Sequence, residues 1–241
     1  MENPALGSDF NAMEEEMILA DLMVVEKRLE RLEKDQKRGK KSNPEEIELL
    51  MRCRTILEQE IPLRKEAELA LSPLLRGFAL LSAKPVLVLL NNPDDDPEMP
   101  ELPEQIARET CISIRGQLER ELSQMDKEEA ALFFGEYQIE NTAADRVIRH
   151  SYAILGLISF FTVGEDEVKA WTIKKDTLAV DAAGTIHSDM KKGFIRAEVL
   201  AYDDLKEAGF YKEARKRGTV RLEGKTYPVQ DGDIINFRFN V

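Results

Sequence analysis

Val229-Gln230-Asp231-Gly232-Asp233-Ile234-Ile235-Asn236-Phe237-Arg238-Phe239-Asn240-Val241 decides the fold class. Ile235, Phe237, Phe239 and Val241 alternate with Asn236, Arg238 and Asn240. That is the period of two of a half-buried strand, and Asp231-Gly232-Asp233 reads as the turn that feeds it. Upstream, Thr219–Leu222 and Thr226–Val229 read as a hairpin turning at Glu223-Gly224-Lys225, and Ala170–Ile173 as a further strand. Ala179–Gly184 and Tyr202–Glu207 supply short helices between them. A small mixed sheet clasping one helix, about 80 residues in all, suits an independent domain.

The other end of the chain follows a different rule. Over residues 12–38, Ile18, Leu22, Val25, Leu29 and Leu32 recur at alternating spacings of four and three, the heptad seam of a helix that buries one stripe against a partner. Arg38-Gly39-Lys40-Lys41 breaks it. Ser42-Asn43-Pro44-Glu45-Glu46 then restarts a helix with a capping residue, a proline in the first turn and acids at the positive end of the dipole. Leu49, Leu50, Cys53, Ile56 and Leu57 make its apolar stripe, and Pro62 ends it. The expected unit is an antiparallel hairpin of two helices with a basic tip.

Between these ends, residues 63–83 read as two helical pieces broken at Ser72-Pro73. Lys84-Pro85-Val86-Leu87-Val88-Leu89-Leu90-Asn91 reads as a buried strand of a parallel sheet. Residues 93–104 hold six acids, four prolines and no base, which predicts a solvated loop. A short helix is expected over 104–109, a strand over Thr110–Ile114 and a helix over 117–134. Two strands do not make a stable parallel sheet by themselves, so Val86–Leu90 is expected to expose edges and invite association.

A net charge of −12 argues against a nucleic-acid footprint spread over the whole surface. The 33% of charged residues points to long solvated helices. Cys53 and Cys111 lie far apart, as reduced thiols of a cytoplasmic chain would, and no metal site is expected. No signal segment or membrane span is expected either.

Four constellations invite a chemical reading. Gly224-Lys225-Thr226 looks like a P-loop end, but position 219 is Thr where the motif needs Gly, and strands flank it, so a hairpin turn is expected. Asp181-x-x-Gly184 is read as a helix with a C-cap glycine. Asn91-Asn92-Pro93-Asp94 sits at the carboxyl end of a strand, where open α/β sheets bind ligands; an Asn-rich turn is the competing reading. Residues 31–41 carry Arg31, Lys34, Lys37, Arg38, Lys40 and Lys41 against Glu33 and Asp35, and are read either as a solvated tip or as an RNA- or ribosome-contacting one. His150 and His187 lack partners at metal spacing and are read as structural; no catalytic set is visible.

Phe160-Phe161-Thr162-Val163-Gly164, Glu167 to Ile173, Ala182 to Asp189, Lys192 to Val199 and the closing Val229–Val241 together resemble the TGS domain of the YchF/Obg-like ATPase family. Asn141 to Arg149 resembles that family's helix before the TGS domain, and Glu14 to Arg28 its first coiled-coil helix. Ala83-Lys84-Pro85-Val86 resembles its base-recognition strand. The resemblance implies an α+β fold of three parts: an antiparallel helical coiled-coil hairpin, a partial α/β P-loop-NTPase-like segment and a C-terminal TGS β-grasp (ubiquitin-like) domain. The expected boundaries are a tail at 1–11, the hairpin at 12–63, the G-domain remnant at 64–157 and the TGS domain at 158–241.

The resemblance also implies ATP or GTP with Mg²⁺ as cofactor and the ribosome or RNA as partner. Asn91, Asn92 and Asp94 stand where the family has NxxE in place of NKxD, with Asp94 at the Glu position. They are the implied base-binding residues, and Lys34, Lys37, Arg38, Lys40 and Lys41 the implied RNA or ribosome contacts. In the family the P-loop, switch threonine and DxxG precede the coiled coil, and Met1 lies almost at the coiled coil here, so all three are expected to be absent. Without a phosphate cradle and held Mg²⁺, no hydrolysis by the chain alone is expected, and at most weak nucleotide binding. The alternative is the rear fragment of an active hydrolase whose P-loop part is truncated or encoded separately. Such a fragment, or a second copy, would then be a partner.

Overall fold

The computed structural model describes residues 5–137, 139–164 and 167–240, leaving aside the side chains of Lys127 and Ala131. Helix α1 runs Leu6–Lys37 and helix α2 Pro44–Glu58. Ile18, Val25, Leu29 and Leu32 of the predicted seam are buried, Leu22 is half-buried, and they pack with Leu49, Leu50, Cys53 and Leu57 of α2. The helix starts ahead of the expected residue 12, and this extra length buries Phe10. Gly39 (φ +75°) closes α1. Its N–H donates to Gln36 O at 3.0 Å, and that of Lys40 to Asp35 O at 3.0 Å. This left-handed stop satisfies carbonyls that the helix end would leave open. Asn43 Oδ1 accepts from the Glu45 N–H at 3.1 Å and caps α2.

The hairpin's core continues through Leu63, Leu69, Leu75 and Leu80. Of the helical pieces expected there, α3 (Ala67–Ala70) and two 3₁₀ turns form. Asp21 pins this stretch. It is 2% exposed, and its carboxylate accepts from the Leu81 N–H at 2.7 Å, the Ser82 N–H at 2.7 Å and the Ser82 hydroxyl at 2.6 Å. Arg64 reaches Glu14 and, at 3.2 Å, Glu109.

Burial pushes the Cys53 thiol up to about 11. An unfolded thiol ionises near 9, so the unfolded chain gains from deprotonation first. Folding stability is expected to be flat below about pH 9 and to fall between about pH 9 and 11. Alkylation of Cys53 should be negligible at neutral pH until the helices open, which a thiol-labelling time course reads.

Strands β1 (Leu87–Asn91) and β2 (Thr110–Ile114) form where predicted and pair in parallel, Leu87 with Thr110 through Asn91 with Ile114. The expectation of a buried β1 is corrected: only Leu90 is buried and Leu89 is 44% exposed. Two strands cannot cover both of their faces. The helix expected over 117–134 is two, α4 (Gly116–Leu122) and α5 (Lys127–Glu136), because Asp126 accepts from the Glu128 and Glu129 N–H groups and caps the second. Residues 104–109 form turns rather than a helix. Helix α6 (Ala143–Ile154) follows. The chain divides into two units, Met1–Val147 and Ile148–Val241.

The second unit is a mixed five-stranded sheet. Its strands are β3 (Leu157–Val163), β4 (Val168–Lys174), β5 (Phe194–Leu200), β6 (Arg221–Glu223) and β7 (Ile234–Phe239), in the order β4-β3-β7-β5-β6. β3 and β7 run parallel, and the other neighbours antiparallel. Helices α7 (Ala179–Ile186) and α8 (Ser188–Lys192) precede β5, and α9 (Tyr202–Ala208) and α10 (Tyr211–Arg217) follow it. The alternation of β7 holds for Ile235 and Phe237, which join Phe160, Phe194 and the alanines of α7 in one core. Ile234 is buried too, in a second cluster with Leu200, Ala208 and Ala214. Phe239 is exposed, and Val241 lies outside the described residues.

One strand of the expected C-terminal hairpin is missing. Thr226–Val229 makes a single bridge, Leu178 to Pro228, because its carbonyls serve α7 instead: Tyr227 O accepts from the Ala179 N–H at 2.8 Å.

Candidate functional site

At the carboxyl ends of β1 and β2 the two strand exits and the start of α4 converge. Asn91 Oδ1 accepts from the Gly116 N–H at 2.9 Å, and Asp94 Oδ1 from the Leu118 N–H at 3.0 Å. These two side chains therefore cap the first turn of α4. Gly116 permits the approach, since a Cβ there would lie 2.9 Å from Asn91 Oδ1. The Asn92 side-chain amide donates to Asp96 O at 3.2 Å and Glu98 O at 2.6 Å, and so folds the acidic loop back on itself. The three residues named from the sequence are thus gathered at one place, each holding backbone.

Beside them lies a cavity of about 280 Å³ lined by Asp96, Ser113, Arg115, Glu119, Asn141 and Arg146, among others. Sequence reading missed these. The position of Arg115 directly after β2, at the same sheet edge as Asn91, was the available signal. Arg115 donates to Tyr137 O at 2.8 Å, and its guanidinium lies 5.9 Å from the Tyr137 ring centroid. Arg146 donates to Ser113 O at 2.7 Å and pairs with Glu119 at 3.2 Å. Asp94→Ala is expected to loosen α4 by about 1 kcal/mol in the absence of any nucleotide, the usual loss of a helix cap. Amide exchange at Leu118 measures it; unchanged protection there would remove the capping role.

The second candidate is the hairpin tip. Lys34, Lys37, Arg38, Lys40 and Lys41 are all exposed, on the last turn of α1 and the connector to α2. Lys34 pairs with Glu30 at 3.4 Å and Lys40 with Asp35 at 2.9 Å. The hydrogen bond from Lys40 holds the Asp35 carboxyl below its ordinary value. Lys37, Arg38 and Lys41 make no ion pair among the described residues.

Other candidates fall to structural roles. Gly224-Lys225-Thr226 lies in a turn after β6, but not in the hairpin expected, since Thr226–Val229 does not form its second strand. Gly184 is not a C-cap: it lies inside α7, where a Cβ would meet Lys191 Cδ at 2.9 Å, and Asp181 pairs with that lysine at 2.7 Å. His187 Nδ1 accepts from the Asp189 N–H at 3.2 Å at the start of α8. Among the described residues no three His, Cys, Asp or Glu side chains stand together as metal ligands, and no helix is long and apolar enough to cross a membrane.

Residues 157–240 match the family model YchF-GTPase_C, described as a protein of unknown function (DUF933). "Ribosome-binding ATPase YchF" of Bacillus subtilis is 40% identical over 243 residues, covering 97% of this chain and 66% of that protein. The Pasteurella multocida protein of the same name is 36% identical over 250 residues, covering 99% of this chain and 67% of that one. Among solved structures, the Schizosaccharomyces pombe YchF GTPase superposes with a TM-score of 0.78 at 30% identity, covering 96% of this chain and 65% of that one. The chain spans about two thirds of the length of these relatives.

Proposed function

Since the chain belongs to the YchF/Obg-like ATPase family, we propose that its own part of that family's work is binding: a ribosome- or RNA-docking module that engages nucleotide weakly at most. The observation that carries this reading is the hairpin tip, where Lys37, Arg38 and Lys41 stand exposed and in no ion pair among the described residues, on a chain of net charge −12. A cationic point on an anionic protein is directed at phosphate rather than spread for solubility. The relatives' names, which state ribosome binding, agree with it. Co-sedimentation with ribosomes is expected, and Lys37→Ala, Arg38→Ala, Lys40→Ala and Lys41→Ala together should abolish it. Undiminished sedimentation of that variant would refute the tip's role.

The mixed sheet of the second unit is read as a TGS β-grasp domain, and residues 64–157 as a G-domain remnant carrying the base-binding edge of a P-loop-type sheet. ATP or GTP is the implied cofactor. Asn91, Asn92 and Asp94 each hold backbone through one side-chain atom, Oδ1, Nδ2 and Oδ1 respectively, while Ser113, Arg115 and Arg146 border open volume beside them. Most affinity for a nucleotide comes from its phosphates and Mg²⁺, for which the 241 residues carry no GxxxxGK[ST] cradle. No ATP or GTP turnover by the purified chain is expected.

A second reading has one observation in its favour, the two-thirds share of the relatives' length. In it, the chain is the rear part of an ATP or GTP hydrolase and gains turnover when a P-loop-bearing piece is supplied.

A further inference from the structure

Arg196 on β5 and Arg238 on β7 are register partners in an antiparallel pair. Like charges facing one another across strands are destabilising, so this pair needs a reason. Strand alternation puts Glu198 on the same face, and its residue is 4% exposed. Glu198 Oε1 accepts from Arg238 and, at 2.6 Å, from Arg215 of α10, while the Tyr211 hydroxyl donates to Oε2 at 3.4 Å. Two guanidinium groups therefore share one buried carboxylate, Arg196 adds a third beside them as the register partner of Arg238, and two positive charges are left over. The acid fixes two of the guanidiniums yet leaves them 56% and 53% exposed; Arg196 is exposed and makes no ion pair among the described residues. The surplus is local, because residues 148–241 hold fifteen bases against fourteen acids.

We propose that Arg196, Arg215 and Arg238 form a phosphate seat for an RNA backbone on the face of the C-terminal sheet shared with Glu198. Oriented guanidinium forks bind phosphate bidentately, and a buried acid that holds them in place lowers the ordering cost of doing so. Lys212 stands exposed on the same helix as Arg215. Phe210, 77% exposed at the start of that helix, offers a surface on which a base can stack, which favours a polynucleotide over a free anion. The seat rests on the RNA-docking reading above but is separate from the hairpin tip.

Fluorescence anisotropy of the whole chain with a short labelled single-stranded RNA tests it. Arg196→Glu is expected to weaken binding about tenfold or more. Arg196→Gln should lower the slope of log affinity on log salt by about 0.7, one phosphate contact. Arg196 makes no ion pair among the described residues, so both variants should keep the wild-type circular dichroism; Arg238→Gln leaves Glu198 paired with Arg215 alone and is the weaker test. Unchanged affinity in Arg196→Glu, with loss in the tip variant, would overturn the seat and leave the docking reading standing. Absence of RNA binding in the wild type would overturn both. Polyglutamate displacing the RNA as well as unlabelled RNA does, at equal charge, would assign the seat to an acidic protein and overturn this proposal.

Discussion

Asp21→Ala is expected to lower the stability of the first unit by about 3 kcal/mol. The wild-type carboxylate accepts three hydrogen bonds inside the core, two of them from the backbone N–H groups of Leu81 and Ser82. Alanine removes the acceptor and leaves the buried Ser82 donors and the part-buried Leu81 N–H without it. Each stranded donor costs roughly 1–3 kcal/mol, far more than the net worth of the bond itself. Ser82→Ala removes one donor to Asp21 and also the Oγ that accepts from the buried Leu63 N–H at 3.3 Å, so it strands one donor rather than two and should cost about 2 kcal/mol. Far-UV circular dichroism through a urea titration follows the helices, and hydrogen exchange at Leu81 and Ser82 shows whether the loss starts there. A change below about 1 kcal/mol for Asp21→Ala would mean that water replaces the carboxylate, and that this anchor does not hold 81–82 to the hairpin.

Phe160→Ala should be as damaging to the second unit. The ring is fully buried and meets Phe237 edge-on at a centroid distance of 5.9 Å, with Phe194 at 6.0 Å from the same Phe237 ring. Truncating such a residue forfeits its transfer energy and leaves a cavity that a close-packed core fills poorly, about 3–5 kcal/mol together. In a unit of this size that moves the thermal midpoint by on the order of 15 °C. Trp171, the only tryptophan, is the register partner of Phe160 and packs on the same cluster, so its fluorescence reports this unit alone. Phe239→Ala, on an exposed ring at the end of β7, is the control and should stay within about 0.5 kcal/mol. Equal effects of the two would show that Phe160 is not a core residue.

Features set by local periodicity were legible from the residues. The heptad of α1, the cap and proline of α2, the apolar run of β1 and the alternation of β7 each depend on neighbours a few positions away. What stayed hidden depends on partners far along the chain. Asp21 sits on the seam side of α1 beside Leu22, and only the fold of residues 63–83, sixty positions on, makes burying it tolerable. Thr226–Val229 has the composition of a strand, yet α7 takes its carbonyls. Ile234 is buried because α9 and α10 cover the face that alternation alone would leave wet. At the candidate site the sequence singled out Asn91, Asn92 and Asp94 without revealing their bonds. Asn91 and Asp94 hold α4, and the open volume belongs to Ser113, Arg115 and Arg146, which no motif marked.

The direct test of the account is the affinity of the purified chain for ribosomes, measured by sedimentation with and without saturating Mg²⁺-ATP. If binding resides in this chain and nucleotide is held weakly, ribosome binding is saturable and the two affinities agree within about twofold, since a ligand that does not distinguish two states cannot shift them. No binding in either condition, or binding that appears only with nucleotide, would contradict it.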